Sequence, residues 1–270
     1  MSMRGWSEMK YEEYEGKMEE LIGQKLQEIE KKEQIKILHA VESGSRSWGF
    51  ASPDSDFDVR FIYVHPMEYY LRLQEEKDFI SWELNEVLDI VGWDLFRVLR
   101  YAHKSNATVF EWSASPVVYD TTEIWEQIRD VIRGYFSEKS CMYHYYGTAR
   151  KNAVEHLQGE QVSYKKYFYV LRPLLSCKWI EERSCPPPVL FSELQEAVLE
   201  EDLRPVVQSL LERKARMLES DKGERIEALD VYIEQKLRRY KELADSLPDD
   251  RDGDWEKLNE VFLNVLRRKQ

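Results

Sequence analysis

Two aspartates, Asp56 and Asp58, stand one residue apart where "DFDVRFIYV" (56–64) enters an apolar run, ten residues after Gly44-Ser45. Alternate side chains of an extended segment share a face, so these carboxylates point the same way, ~7 Å apart along the chain. Like charges repel, and the mouth of a core strand is a costly place for two of them unless something compensates. Divalent metal compensates well. Magnesium favours a few carboxylates together with waters and substrate phosphates. Two such ions ~4 Å apart hold the attacking and leaving oxygens of an in-line phosphoryl transfer. Gly44-Ser45 supplies the complementary part, because glycine admits close backbone approach and a strand-to-helix turn aims N–H groups at a phosphate. The combination suits a metal-bound nucleoside triphosphate.

The surrounding sequence sets this motif in an α/β frame. Apolar positions Met18, Leu21, Ile22, Leu26 and Ile29 within 7–34 have helical spacing. "IKILHAV" (35–41) reads as a strand ending at the "ESGS" turn, and "SRSWGF" as one helical turn. In the second strand Phe57, Val59, Phe61 and Tyr63 fall on one face, and Asp56, Asp58, Arg60 and Ile62 on the other. A β-segment is expected around Tyr69–Leu73 and a longer one across Trp82–Val91, then a helix from Asp94, a plausible N-cap, to Asn106. No strand is expected beyond residue 120. Helices are expected at 122–136, 138–157, 163–183, 191–201, 205–219, 224–246 and 254–268. The expected fold is therefore α+β, with an α/β domain over 1–120 and a helical domain over 121–270 that completes the cleft.

Composition narrows the function. The formal charge of −12, from 39 basic and 51 acidic residues, opposes a general charge-driven nucleic-acid binder. No apolar run is long enough for a membrane span, and the charged first twenty residues do not resemble a signal peptide. Cys141, Cys177 and Cys185 lack CxxC spacing, so reduced thiols in a cytoplasmic protein are expected. "DSDFD" resembles the start of a calcium loop, with Asp54, Asp56 and Asp58 at its first, third and fifth positions. The sixth is Val59 instead of glycine and the twelfth His65 instead of glutamate, which sets an EF-hand aside. His144 and His156 have no metal-ligand spacing to a cysteine, and no P-loop, GxGxxG or GxSxG occurs.

Gly44-Ser45, ten residues and "DFDV" (56–59) resemble the signature of the DNA polymerase β-like nucleotidyltransferase superfamily. The string "SGSRSWGFASPDSDFDVRFIYV" is similar to one branch, the RNA-repair-associated RlaP or YcgL-like proteins. "DIVGWDLFRVLRYAHKSNATVFEW" (89–112), "YKKYFYVLRPLLSCKWIEE" (164–182) and "PPPVLFSEL" (187–194) extend the likeness over 35–200. The resemblance implies a small mixed β-sheet with flanking helices and an appended helical domain. It also implies Mg2+-dependent transfer of a nucleoside monophosphate from an NTP to an acceptor hydroxyl, with an RNA end as the expected acceptor and Mn2+ as an alternative metal.

The same resemblance implies a third acidic residue on a neighbouring strand, serving as metal ligand or as base toward the acceptor hydroxyl. Asp89 is the first choice, Asp94 the second and Glu86 the third. Ser45 would bond a β- or γ-phosphate, and Arg46 would neutralise phosphate charge or stand as a surface arginine of the turn. Lys165, Tyr169 and Arg172 fall at i, i+4 and i+7, a stripe able to grip a triphosphate and stack on a base, or to pack in the core. Arg97, Arg100 and Lys104 form a second basic face, substrate-facing or solvated. Trp48 would shape the nucleotide pocket or pack locally. Alternative acceptors are a protein hydroxyl and a small molecule of aminoglycoside type, and a noncatalytic nucleotide-sensing module is the reading from another class. The base preference and oligomeric state stay open.

Overall fold

A computed structural model describes residues 11–268 apart from 53–54, 75, 86 and 215–221. The first half runs α1 (Tyr11–Glu33), β1 (Lys36–Ser43), α2 (Gly44–Ser47), β2 (Phe57–Val64), α3 (Met67–Tyr70), β3 (Phe79–Asn85), β4 (Leu88–Asp94), α4 (Leu95–His103), α5 (Ala107–Ser113) and β5 (Val118–Thr121). The second half runs α6 (Glu123–Arg133), α7 (Glu138–His156), β6 (Gln161–Ser163), α8 (Tyr164–Arg183), α9 (Phe191–Val198), α10 (Arg204–Lys214), β7 (Lys222–Glu224), α11 (Glu227–Ser246) and α12 (Glu256–Arg267).

Five strands form a mixed sheet in the order β3-β4-β2-β1-β5, with β2 and β4 parallel and the other pairs antiparallel. The alternation expected in β2 is realised. Phe57, Val59, Phe61 and Tyr63 pack with Ile22, Leu26 and Ile29 of α1 in a core on one face of the sheet. Ile62 and Val64 point to the other face and join a larger core that continues into α8, α11 and α12. Gly92 in β4 gives its side-chain space to the Phe61 ring. The fold is thus α+β, a mixed sheet with many helices.

Four expectations are corrected. Tyr69–Leu73 is not strand: Met67–Tyr70 forms a helical turn, and Tyr70 turns its hydroxyl onto Asp94. Trp82–Val91 is two antiparallel strands, β3 and β4, because the chain reverses between Asn85 and Leu88. The helix from Asp94 ends at His103; Ser105 takes a left-handed φ of 51°, and Asn106 caps a new helix, α5. Strand also occurs at and beyond residue 120, as the last residues of β5 and the β6–β7 ribbon, segments of three or four residues too short for periodicity to show. The expected helical residues 7–10 and 215–219, and Asp54 and Glu86, lie outside the described residues.

Aromatic packing ties the two halves together beside the Gly-Ser turn. Phe50 lies 5.2 Å from Phe168 of α8 and 5.7 Å from Phe191 of α9, with Phe168 and Phe191 5.3 Å apart. The Phe191 backbone N–H donates to the Trp48 carbonyl at 2.9 Å.

Candidate active site

The end of β1 passes directly into α2, and Gly44 makes that possible. Its φ of +64° is a left-handed conformation that side chains disfavour. A Cβ here would also stand 2.4 Å from Asp58 Oδ2. The glycine is what lets the turn lie against the aspartate. Ser43 pairs with Asp58 in the β1–β2 ladder, so the antiparallel register itself brings the turn to the head of β2.

Asp58 sits in a network of charge. One nitrogen of Arg60, Nη2, donates to Asp58 Oδ1 and to Asp89 Oδ2, both at 2.9 Å. The parallel register aligns Asp58 with Asp89 across β2 and β4. Behind Asp58, the buried Glu42 accepts its backbone N–H at 2.7 Å and is capped by the Tyr119 hydroxyl. Burial raises the Glu42 carboxyl to about 7, against the opposing pull of those two hydrogen bonds. Burial also raises the Asp58 carboxyl, with Asp89 and Asp56 adding to it and Arg60 opposing. Asp58 and Asp89 share a single guanidinium nitrogen, so positive charge is scarce around them, the condition under which a cation is welcome.

A cleft of about 340 Å³ opens in front of these residues. Its walls are Gly44, Ser45, Trp48, Asp56 and Asp58 from the sheet side, and Asn152, Lys165, Lys166 and Tyr169 from α7 and α8. Tyr169 lies under Lys165 and Lys166, whose ammonium groups are 5.6 and 4.8 Å from its ring centre. Burial first, and then Asp58 and Asp56, push its hydroxyl up to about 12, so it stays protonated.

Of the residues expected to bind nucleotide, Gly44, Ser45, Lys165 and Tyr169 line this cleft with Asp56 and Asp58. Arg46 does not. It donates to the carbonyls of Asp56 and Ser55 and stacks on Phe57, pinning the loop that carries Asp56. Arg172 does not either: buried in α8, it pairs with Glu111 at 2.8 Å and donates to the Val189 carbonyl. Arg97 pairs with Asp78 instead of facing the cleft. Lys166, Asn152, Arg60 and Glu42 belong to the site although no motif flagged them; only Lys166, adjacent to Lys165, had a visible hint.

Asp94 is held elsewhere. It is five residues further along β4 than Asp89, roughly 16 Å at strand rise. There it caps α4 through the Phe96 N–H and accepts from Tyr70. Burial raises its carboxyl from 3.8 to about 7. Because the folded state then keeps a proton that the unfolded chain releases, the Asp94 contribution to stability falls as pH rises from about 4 to 7. Compared with Asp94→Asn, the wild type is expected to lose about 1 kcal/mol per pH unit over that interval and nothing further above it. Urea unfolding of both proteins at several pH values checks this; parallel curves would refute it.

Among the described residues, no cluster of three or more His, Cys, Asp or Glu side chains is arranged as a ready metal cage. Asp56 and Asp58 nonetheless fit magnesium, which takes one or two protein carboxylates and completes its shell with water and phosphate. Asp58 has one oxygen on Arg60 and turns the other, Oδ2, toward Gly44.

The strand pairing, the glycine turn and the carboxylate cleft are those of a nucleotidyltransferase-like protein. The family model for the RNA repair pathway DNA polymerase β family, RlaP, matches residues 18–264, and the chain belongs to that family. It is 42% identical over 251 residues to the protein YcgL of Bacillus subtilis (strain 168), spanning 92% of this chain and 96% of that one. A solved nucleotidyltransferase-like protein from Exiguobacterium sibiricum 255-15 matches over 92% of this chain and 81% of its own, at 14% identity and a TM-score of 0.32, too low to carry weight. No described helix is long and apolar enough to cross a membrane.

Proposed function

We propose that this protein is a Mg2+-dependent nucleotidyltransferase that moves a nucleoside monophosphate from an NTP to the hydroxyl of an RNA end. The observation carrying the proposal is the convergence of Asp56, Asp58, the Gly44-Ser45 turn and two lysines on one cleft. The acceptor oxygen would attack the α-phosphorus, pyrophosphate would leave, and the acceptor proton would pass to a carboxylate. When bound, magnesium would neutralise the phosphates and draw charge from the leaving oxygen.

The chain's own groups divide the work. Asp56 and Asp58 would hold the metal, while Ser45 and the α2 backbone face the phosphates. Lys165 and Lys166 would take the charge of the departing pyrophosphate. Asp89 would supply the third carboxylate: Arg60 holds its Oδ2, leaving Oδ1 to accept the proton. The RNA acceptor is supported by the family's description; the net charge of −12 supplies no strong electrostatic pull toward RNA, so a protein or small-molecule hydroxyl is the alternative acceptor.

Incubation with each α-labelled NTP and Mg2+ or Mn2+, with RNA and with total protein offered as acceptors, tests the reading. Label entering RNA is the expected result. Label entering protein or a small molecule would overturn the acceptor, and no metal-dependent transfer at all would overturn the enzyme.

A further inference from the structure

Glu42 stands where an acid is costly. It is 1% exposed, and its partner in β2, Val59, belongs to the core that packs on α1. Residues paired across a ladder share a face of the sheet, so the Glu42 side chain lies on the α1 face. Asp58, one residue before Val59, projects to the opposite face, where the cleft opens. Glu42 thus reaches the cleft only through the backbone of Asp58. An apolar side chain would fill the same space without the penalty of burying a carboxyl.

All four polar groups of Glu42 are engaged. Its backbone N–H donates to the Val117 carbonyl at 3.0 Å, and its carbonyl accepts from Ser115 Oγ at 2.6 Å. Oε1 accepts the Asp58 backbone N–H at 2.7 Å, and Oε2 accepts from the Tyr119 hydroxyl. Three of these partners come from one stretch, 115–119, which leads from α5 into β5. The β1–β5 register explains how a single stretch supplies them. Ala40 pairs with Asp120 and Val41 with Val118, which leaves Tyr119 as the extra residue of a β-bulge. Bulges re-aim side chains and are common beside active sites. This one delivers the tyrosine to Glu42.

We infer that Glu42 is a positioning residue: clamped by the 115–119 stretch, it fixes the Asp58 backbone from the far side of the sheet and so sets where that carboxylate meets metal. The inference rests on the metal-dependent transfer proposed above. On its other flank Asp58 is aligned by the parallel register with β4, and Gly44 lies against its Oδ2. A displacement of about 1 Å is enough to cost a site much of its function, even when it originates away from the chemistry. Groups that orient metal ligands are worth about 10–100-fold in metal affinity.

Mn2+ binding followed by electron paramagnetic resonance, with urea unfolding beside it, tests the role. Glu42→Leu fills the space but offers Asp58 no acceptor, and should weaken Mn2+ binding about tenfold or more. Glu42→Gln keeps an oxygen for the Asp58 N–H and an amide that can donate to the Tyr119 oxygen. It should restore affinity to within about threefold of wild type. A residue that only packed would move the urea midpoint and leave Mn2+ affinity alone. Tyr119→Phe keeps the ring and removes the hydroxyl from Oε2; it should weaken Mn2+ about threefold or more, and it stands in if the leucine variant does not fold. The positioning role is overturned if the folded variants Glu42→Leu and Tyr119→Phe keep wild-type Mn2+ affinity, or if glutamine is as weak as leucine. If the wild type itself binds no Mn2+, the metal assignment of Asp56 and Asp58 falls first, and the positioning role with it.

Discussion

Asp58→Asn is expected to reduce nucleotide transfer by about 10³-fold or more, and to abolish the stabilisation that Mg2+ and NTP together confer on the fold. Asparagine keeps the shape and can still accept from Arg60, so the β1–β2–β4 pairing around it should persist. What it removes is the charge facing Gly44, where a metal-bound phosphate would sit. Loss of one preorganised electrostatic contact in a transfer site costs about 10²–10³-fold, and loss of a metal ligand costs more. The metal-free variant should be no less stable than wild type, because burial already disfavours the charged form of Asp58. A saturating ligand adds about 2.7 kcal/mol at 100 times its Kd, so a thermal shift with and without Mg-NTP reads the effect directly. Transfer within tenfold of wild type, or an undiminished shift, would end the assignment of Asp58 as a metal ligand.

Arg172→Ala should destabilise the protein by about 3 kcal/mol, the lower end of the range for breaking a buried ion pair. The lower end applies because Glu111 keeps 19% side-chain exposure and can recover some hydration. The variant also loses the Val189 carbonyl bond and the packing of the guanidinium on Trp48. Lysine should not restore the loss, since it cannot reach Glu111 and Val189 with separate fixed nitrogens. Urea midpoints of the three proteins measure this. A cost below about 1 kcal/mol would show that the pair contributes little beyond a surface salt bridge.

The arginine shows what a linear reading could and could not see. Lys165, Tyr169 and Arg172 share a helical stripe, yet α8 twists that stripe from the cleft into the core over its two turns. The first two members line the cleft and the third finds Glu111, 61 residues earlier in the chain. No local pattern announces that partner. Asp56, Asp58 and Gly44-Ser45 were legible because their spacing is the constraint, a β-hairpin register that any fold using it must keep. Asp89 was legible only through the resemblance, and its alignment opposite Asp58 required the β3–β4 reversal that apolar periodicity blurred into one strand. Glu42 and Arg60 looked like ordinary charges on strand faces. Their importance comes from neighbours across the sheet, which sequence spacing does not encode.

The interlocked rings of Phe50, Phe168 and Phe191 have a bearing on how a substrate of the proposed kind would enter. They rivet the lysine-bearing helix to the loop that leaves the Gly-Ser turn, so the jaws of the cleft cannot swing apart without tearing a hydrophobic seam. On the proposed function, admission of a nucleotide would then depend on the swing of long side chains such as Lys165 and Lys166, motions of nanoseconds instead of the slower hinging of whole lobes.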